Sequence, residues 1–153
     1  MMASGRPLAT KASTRVLEAR TAAVMDFEDF VDSLGFLSIA ERDRLKLAGG
    51  EILDNIVKHA SPVAGTSPGE TGRIVVRAAR RGGSPSLAFY FRSPSFSAFA
   101  ASSASELATK PLFDPAHRRW RGIGLVMCRN LARRVVFRPG EAMDRIFLEF
   151  DPA

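Results

Sequence analysis

A single cysteine, Cys128, stands in 153 residues, so no disulfide can close within the chain, and the cytoplasm is the expected setting. Long hydrophobic runs are missing too. None approaches the roughly 20 residues of a membrane-spanning helix, so no membrane is expected among the partners. The opening Met1-Met2-Ala3-Ser4-Gly5-Arg6-Pro7 lacks the apolar stretch of a secretory signal. Histidine is sparse: neither His59 nor His117 has a second His or Cys spaced to share a metal, which argues against a zinc centre. No helix-turn-helix pattern or aromatic RNA-binding signature accompanies the positive charge, so nucleic acid is not the expected partner. Internal repeats are absent as well.

Hydrophobic residues nevertheless make up 46% of the chain, enough for a real core, and the length suits one domain. The net charge is +6, carried mostly by arginine in small clusters such as Arg80-Arg81, Arg118-Arg119-Arg121 and Arg133-Arg134. An anionic ligand, an acidic partner and a merely arginine-rich composition all fit that pattern.

The segment from Leu47 to Ala60 carries the most chemistry. As a helix it aligns Glu51, Asn55 and His59 in one polar stripe, beside an apolar face of Ala48, Ile52, Leu53, Ile56 and Ala60. Asn55 can offer its side-chain oxygen to a hard cation such as Mg²⁺, and Glu51 can accept a proton or orient a water. The other reading is that both residues simply solvate a helix edge. Further on, Arg121-Gly122-Ile123-Gly124-Leu125 reads as a glycine-punctuated turn entering an amphipathic helix. Such a turn lets backbone approach phosphate, and the free N–H groups of the helix favour negative charge. Cys128 falls within that helix and is expected to pack rather than react.

Glu-x-x-x-Asn-x-x-x-His-Ala resembles the N box of the GHKL ATPase superfamily, and Gly-x-Gly-Leu resembles its second glycine box. The resemblance spans roughly residues 13–150 and is closest to the bacterial anti-sigma-factor serine/threonine kinases. It implies ATP and Mg²⁺ as ligands, with Glu51 as general base and Asn55 as the Mg²⁺ ligand. Arg121, Gly122, Ile123, Gly124 and Leu125 would form the nucleotide-binding turn. It also implies a sigma factor or a serine-bearing antagonist protein as partner, with a homodimer as a second mode of association.

Local patterns agree with an α+β fold: a two-layer α/β sandwich with a mostly antiparallel sheet and helices on one face. Residues 1–12 are expected as a disordered leader and 13–153 as the domain. Ser13 to Ala19 suggests an edge strand, and Thr21 to Leu34 a helix stopped by Gly35. Ser38 and Glu41 form a capping-box pattern for a helix running to about Ala60. Gly49-Gly50 inside it points to close packing, since each glycine costs about 1 kcal/mol against alanine there. Ser61 to Gly72 is expected as a loop. Strands follow at Arg73–Arg80 and Leu87–Phe91, around a turn at Arg81 to Pro85, and later at Arg134–Phe137 and Arg145–Phe150. Residues 93–110, rich in Ser and Ala, are only weakly periodic.

One box departs from the family. Where the relatives carry Asp-x-Gly-x-Gly-Phe, this chain has Phe91-Arg92-Ser93-Pro94-Ser95-Phe96, with Phe91 at the aspartate that would hold the adenine amino group. An unmet polar group costs about 1–3 kcal/mol, and Asp114 is the substitute acceptor the sequence offers. Two functions therefore stand side by side: an ATP-dependent protein serine/threonine kinase of the anti-sigma type, and a nucleotide-independent protein-binding module on a degenerate GHKL fold. The detached ATPase half of a histidine kinase is a weaker third. The apolar residues Val24, Phe27, Phe30 and Val31 of the first helix serve either an interface or the core.

Overall fold

The computed structural model describes residues 10–60, 72–93, 100–101, 112–116, 118–121 and 123–153. Its elements run β1 (Lys11–Glu18), α1 (Ala23–Asp32), α2 (Ile39–Asn55), a π-helical turn (Ile56–Ala60), β2 (Arg73–Arg81), β3 (Ser84–Phe91), β4 (Leu112–Asp114), β5 (Arg119–Arg121), α3 (Ile123–Leu131), β6 (Arg134–Arg138) and β7 (Asp144–Glu149). Five strands form one antiparallel sheet in the order β1-β2-β3-β7-β6, while β4 and β5 make a separate hairpin. The α+β class and the antiparallel sheet are as expected. Among the described residues no helix is long and apolar enough to cross a membrane.

Strand alternation decides which face is buried. Ile74, Val76 and Ala78 of β2, Leu87, Phe89 and Phe91 of β3, and Ile146 and Leu148 of β7 share one face and are buried with the helices. Phe27, Phe30 and Val31 of α1 join that core, and Val24 packs against its edge. These apolar residues of α1 are therefore core, and the interface reading of them is corrected. The β2–β3 connection is a two-residue turn, Gly82-Gly83, with φ of +57° and +88°. Both values suit glycine and the tight hairpin turns that match strand twist.

Several boundaries differ from expectation. Strand β1 begins at Lys11, so Lys11 and Ala12 belong to the sheet rather than to a leader. Helix α1 covers Ala23–Asp32, a turn shorter than the apolar pattern suggests. The regular part of α2 ends at Asn55, and the chain continues through the wider π turn to Ala60. Strand β3 starts at Ser84, three residues early, because the glycine pair closes the hairpin without help from Pro85. The β4–β5 hairpin had no counterpart in the sequence patterns. Residues 1–9, most of the Ser61–Gly72 loop and most of 93–110 lie outside the described residues.

The start of α2 is locked by a charged hub. Ser38 Oγ accepts the Glu41 N–H, and the Glu41 carboxylate accepts the Ser38 N–H at 2.8 Å, completing the capping box. Glu41 is 1% exposed. Its carboxylate also pairs with the Arg80 guanidinium and accepts the Ala153 N–H at 3.2 Å. Arg80 donates in addition to the Phe36 and Gly83 carbonyls. Burial alone raises the Glu41 pKa, but the Ser38 N–H, the Arg80 guanidinium and the Ala153 N–H outweigh it and hold the carboxyl below its ordinary value. A depressed carboxylate pKa contributes stability that is fully present above the unfolded value and fades as pH falls. Thermal melts should therefore lose stability below about pH 4.5, and Glu41→Gln should shrink that acid-dependent part. At neutral pH, Arg80→Met should cost about 2–3 kcal/mol, discounted from a fully buried pair because Arg80 is partly exposed.

The two adjacent glycines of α2 have opposite surroundings. A Cβ on Gly49 would come within 2.5 Å of Phe27 and 2.7 Å of Leu87, whereas one on Gly50 meets only Val24, at 4.0 Å. Gly49→Ala should destabilise by about 1–3 kcal/mol through overpacking. Gly50→Ala should stabilise by up to about 1 kcal/mol through helix propensity. Urea denaturation of the two variants reads both signs.

Candidate functional site

Two anchors set the direction of α2 over the sheet. Glu41 meets Arg80, which pairs with Pro85 near the start of β3. Gly49 sits against Leu87, further along that strand. The helix thus runs with β3, and its second half, carrying Glu51 and Asn55, points toward the end where β3 finishes at Phe91. A second pair of contacts sets α3. Cys128 Sγ donates to the Ala48 carbonyl at 3.2 Å, and Glu51 packs against Gly124. The matched order, forward along α2 and backward along α3, makes the two helices antiparallel.

Glycine at 124 is what permits the second contact. A Cβ there would lie 2.8 Å from the Glu51 Cδ and closer still to a carboxylate oxygen. Glu51 consequently brings its charge beside the first turn of α3, which starts at Ile123, where the helix dipole favours an anion. The carboxylate is half-buried and makes no hydrogen bond or ion pair with a described residue. Asn55 lies one turn further along α2, about 6 Å by helical rise, and so beyond the start of α3. It is also half-buried, and its amide is unpaired among the described residues.

The stripe drawn from the sequence stops there. The π turn advances each residue by a smaller rotation than an α turn, so the four-residue spacing that aligns Glu51 with Asn55 does not extend to His59. His59 is exposed. Asp54, beside Asn55, is engaged with Lys58 at 2.8 Å. Of the glycine turn, Arg121 ends β5 opposite Leu112, Ile123 opens α3, and Leu125 is buried beneath it. Gly122 lies outside the described residues. Asp114 stands opposite Arg119 in the backbone register of the β4–β5 hairpin.

Phe91 is fully buried, and its cross-strand neighbour is Asp144 of β7. Asp144 is 9% exposed, accepting the Ser93 N–H at 3.2 Å and the Gly140 N–H at 3.4 Å. A buried carboxylate therefore stands directly across the sheet from Phe91. No local pattern in the sequence marks Asp144, because the pairing of β3 with β7 joins segments far apart in the chain. Among the described residues no three His, Cys, Asp or Glu side chains are grouped to hold a metal.

No protein-family model matches this sequence, and the comparison with characterised proteins returns no match.

Cys128 is fully buried. Desolvation first, then the nearby Glu51 carboxylate, push its thiol pKa up to about 12, so the reactive thiolate is scarce at neutral pH. The native protein should resist iodoacetamide at pH 8 and react fully once unfolded in urea, as intact-mass measurement will show.

Proposed function

We propose that this chain is a GHKL-type regulatory domain, closest to the anti-sigma-factor serine/threonine kinases, that binds ATP with Mg²⁺ and controls a sigma factor through protein contact and phosphorylation of an antagonist. The observation that carries the reading is the unpaired Glu51 carboxylate held against Gly124 at the start of α3. Residues from the two boxes, far apart in sequence, thereby meet. In this reading Asn55 would hold Mg²⁺, and Arg121, Gly122, Ile123, Gly124 and Leu125 would supply the turn for the phosphates, since helix N–H groups and guanidinium groups favour anions. Bound ATP would supply the transferable phosphoryl group. Glu51 takes the proton of the incoming serine hydroxyl, a task suited to a carboxylate that no neighbouring cation neutralises.

One observation favours the alternative, a nucleotide-independent binding module: Phe91 is embedded in the core and has no acceptor for an adenine amino group. Asp144 answers it in part, since each carboxylate oxygen that takes one backbone N–H retains a further lone pair. The informative substitution is therefore Asp144→Asn, because Phe91→Asp would bury a new charge.

Calorimetry should detect ATP binding that strengthens with Mg²⁺, and Asn55→Ala should remove the Mg²⁺-dependent part. If Asp144 reads the base, ATP should be preferred over GTP in the native protein, and the preference should fall roughly 5- to 150-fold in Asp144→Asn. Absence of ATP binding, with partner capture unaffected by nucleotide, would establish the binding module instead.

A further inference from the structure

The face of the sheet turned away from α1, α2 and α3 has a chemistry of its own. Alternate residues of β2, β3 and β7 line a groove of about 400 Å³ there. Its floor is small, with Ala79, Ser86 and Ala88, and Tyr90 and Phe147 supply apolar surface at one side. Arg77, Arg81 and Arg145 line it as well, and Arg134 and Arg138 of β6 point to the same side by register. The acids on this face are already engaged: Glu149 with Arg133, and Glu18 with Arg20 at 3.0 Å. Arg77 and Arg81 make no side-chain hydrogen bond or ion pair with a described residue. The Nε of Arg145 is buried without an acceptor, which is costly for a charged donor.

We propose that this groove is a docking site for an acidic, partly apolar peptide segment of a partner protein. Guanidinium forks match carboxylates in a bidentate manner, and the small-residue floor leaves room for an apolar side chain between them. A second copy of the chain is disfavoured, since it would bring like charges face to face. Single-stranded nucleic acid needs successive open aromatic faces. Here the Arg145 guanidinium already lies over the Phe147 ring, at 5.2 Å from its centroid, which leaves Tyr90 alone. The groove lies on the opposite side of the sheet from Glu51 and Gly124, so the proposal does not rest on the nucleotide reading.

The test is fluorescence anisotropy with a labelled peptide of Asp-Leu-Glu repeats, alongside a Lys-Leu-Lys peptide and labelled oligo-dT. The acidic peptide should bind and the basic one should not. Arg81→Glu and Arg145→Gln should each weaken binding about tenfold, the effect of losing one good charged contact. Arg44→Glu, the same charge change on α2, should leave it within about twofold. Circular dichroism melts verify folding, and exposed Arg81 carries the test if Arg145→Gln unfolds. The proposal is overturned by any of four results: no binding of the acidic peptide, equal losses in Arg44→Glu, tighter binding of oligo-dT, or a dimer in sedimentation that Arg81→Glu dissociates.

Discussion

The depth at which α2 lies against the sheet governs the remainder of the structure. At Gly49 the helix backbone approaches Phe27 and Leu87 so closely that a single methyl group would not fit. That approach brings Ile52, Leu53 and Ile56 into the core, and it determines how far Glu51 stands above the sheet. Helix α3 then packs on α2 through small groups, Cys128 against the Ala48 carbonyl and Gly124 against Glu51. Larger residues at those points would part the helices and separate the two segments that make up the candidate site.

The polar hub at the other end of α2 complements this packing. Apolar contact is non-directional, and by itself it would tolerate some rotation of α2 about its axis. The Glu41 carboxylate removes that freedom by answering Ser38, Arg80 and Ala153 together. Register along the helix is thereby fixed at one end by charge and in the middle by a missing side chain. Glu51, between the two helices, inherits its position from both.

Much of this was legible because its causes are local. The capping box of Ser38 and Glu41, the glycine hairpin at Gly82-Gly83 and the alternation in β2 and β3 each follow from neighbours in sequence. The close approach at Gly49 was also foreseen, although the same argument applied to Gly50 fails, since nothing crowds that position. The α1 residues could be core or interface from their pattern alone, and only the packed structure decides for core. Asp144 was invisible for a different reason. Its significance comes from lying opposite Phe91, and strand pairing across so long a stretch is set by the whole sheet. The π turn after Asn55 likewise has no signature in an apolar pattern that reads equally well as α-helix.

The strand order has a consequence for how the protein is made. Strand β7, the last of the described strands, does not sit at an edge but is inserted between β3 and β6. Until it arrives, β3 carries an open row of backbone donors and acceptors along one side, next to the apolar Leu87 and Phe89. Such an edge is a template for pairing with other chains, and contacts between distant segments form slowly. Unpaired edges of this kind promote aggregation in incompletely folded chains, and in this sheet β7 is the strand that covers it. The same strand pairing sets Asp144 beside Phe91, so covering that edge and assembling the buried acidic corner depend on one and the same contact.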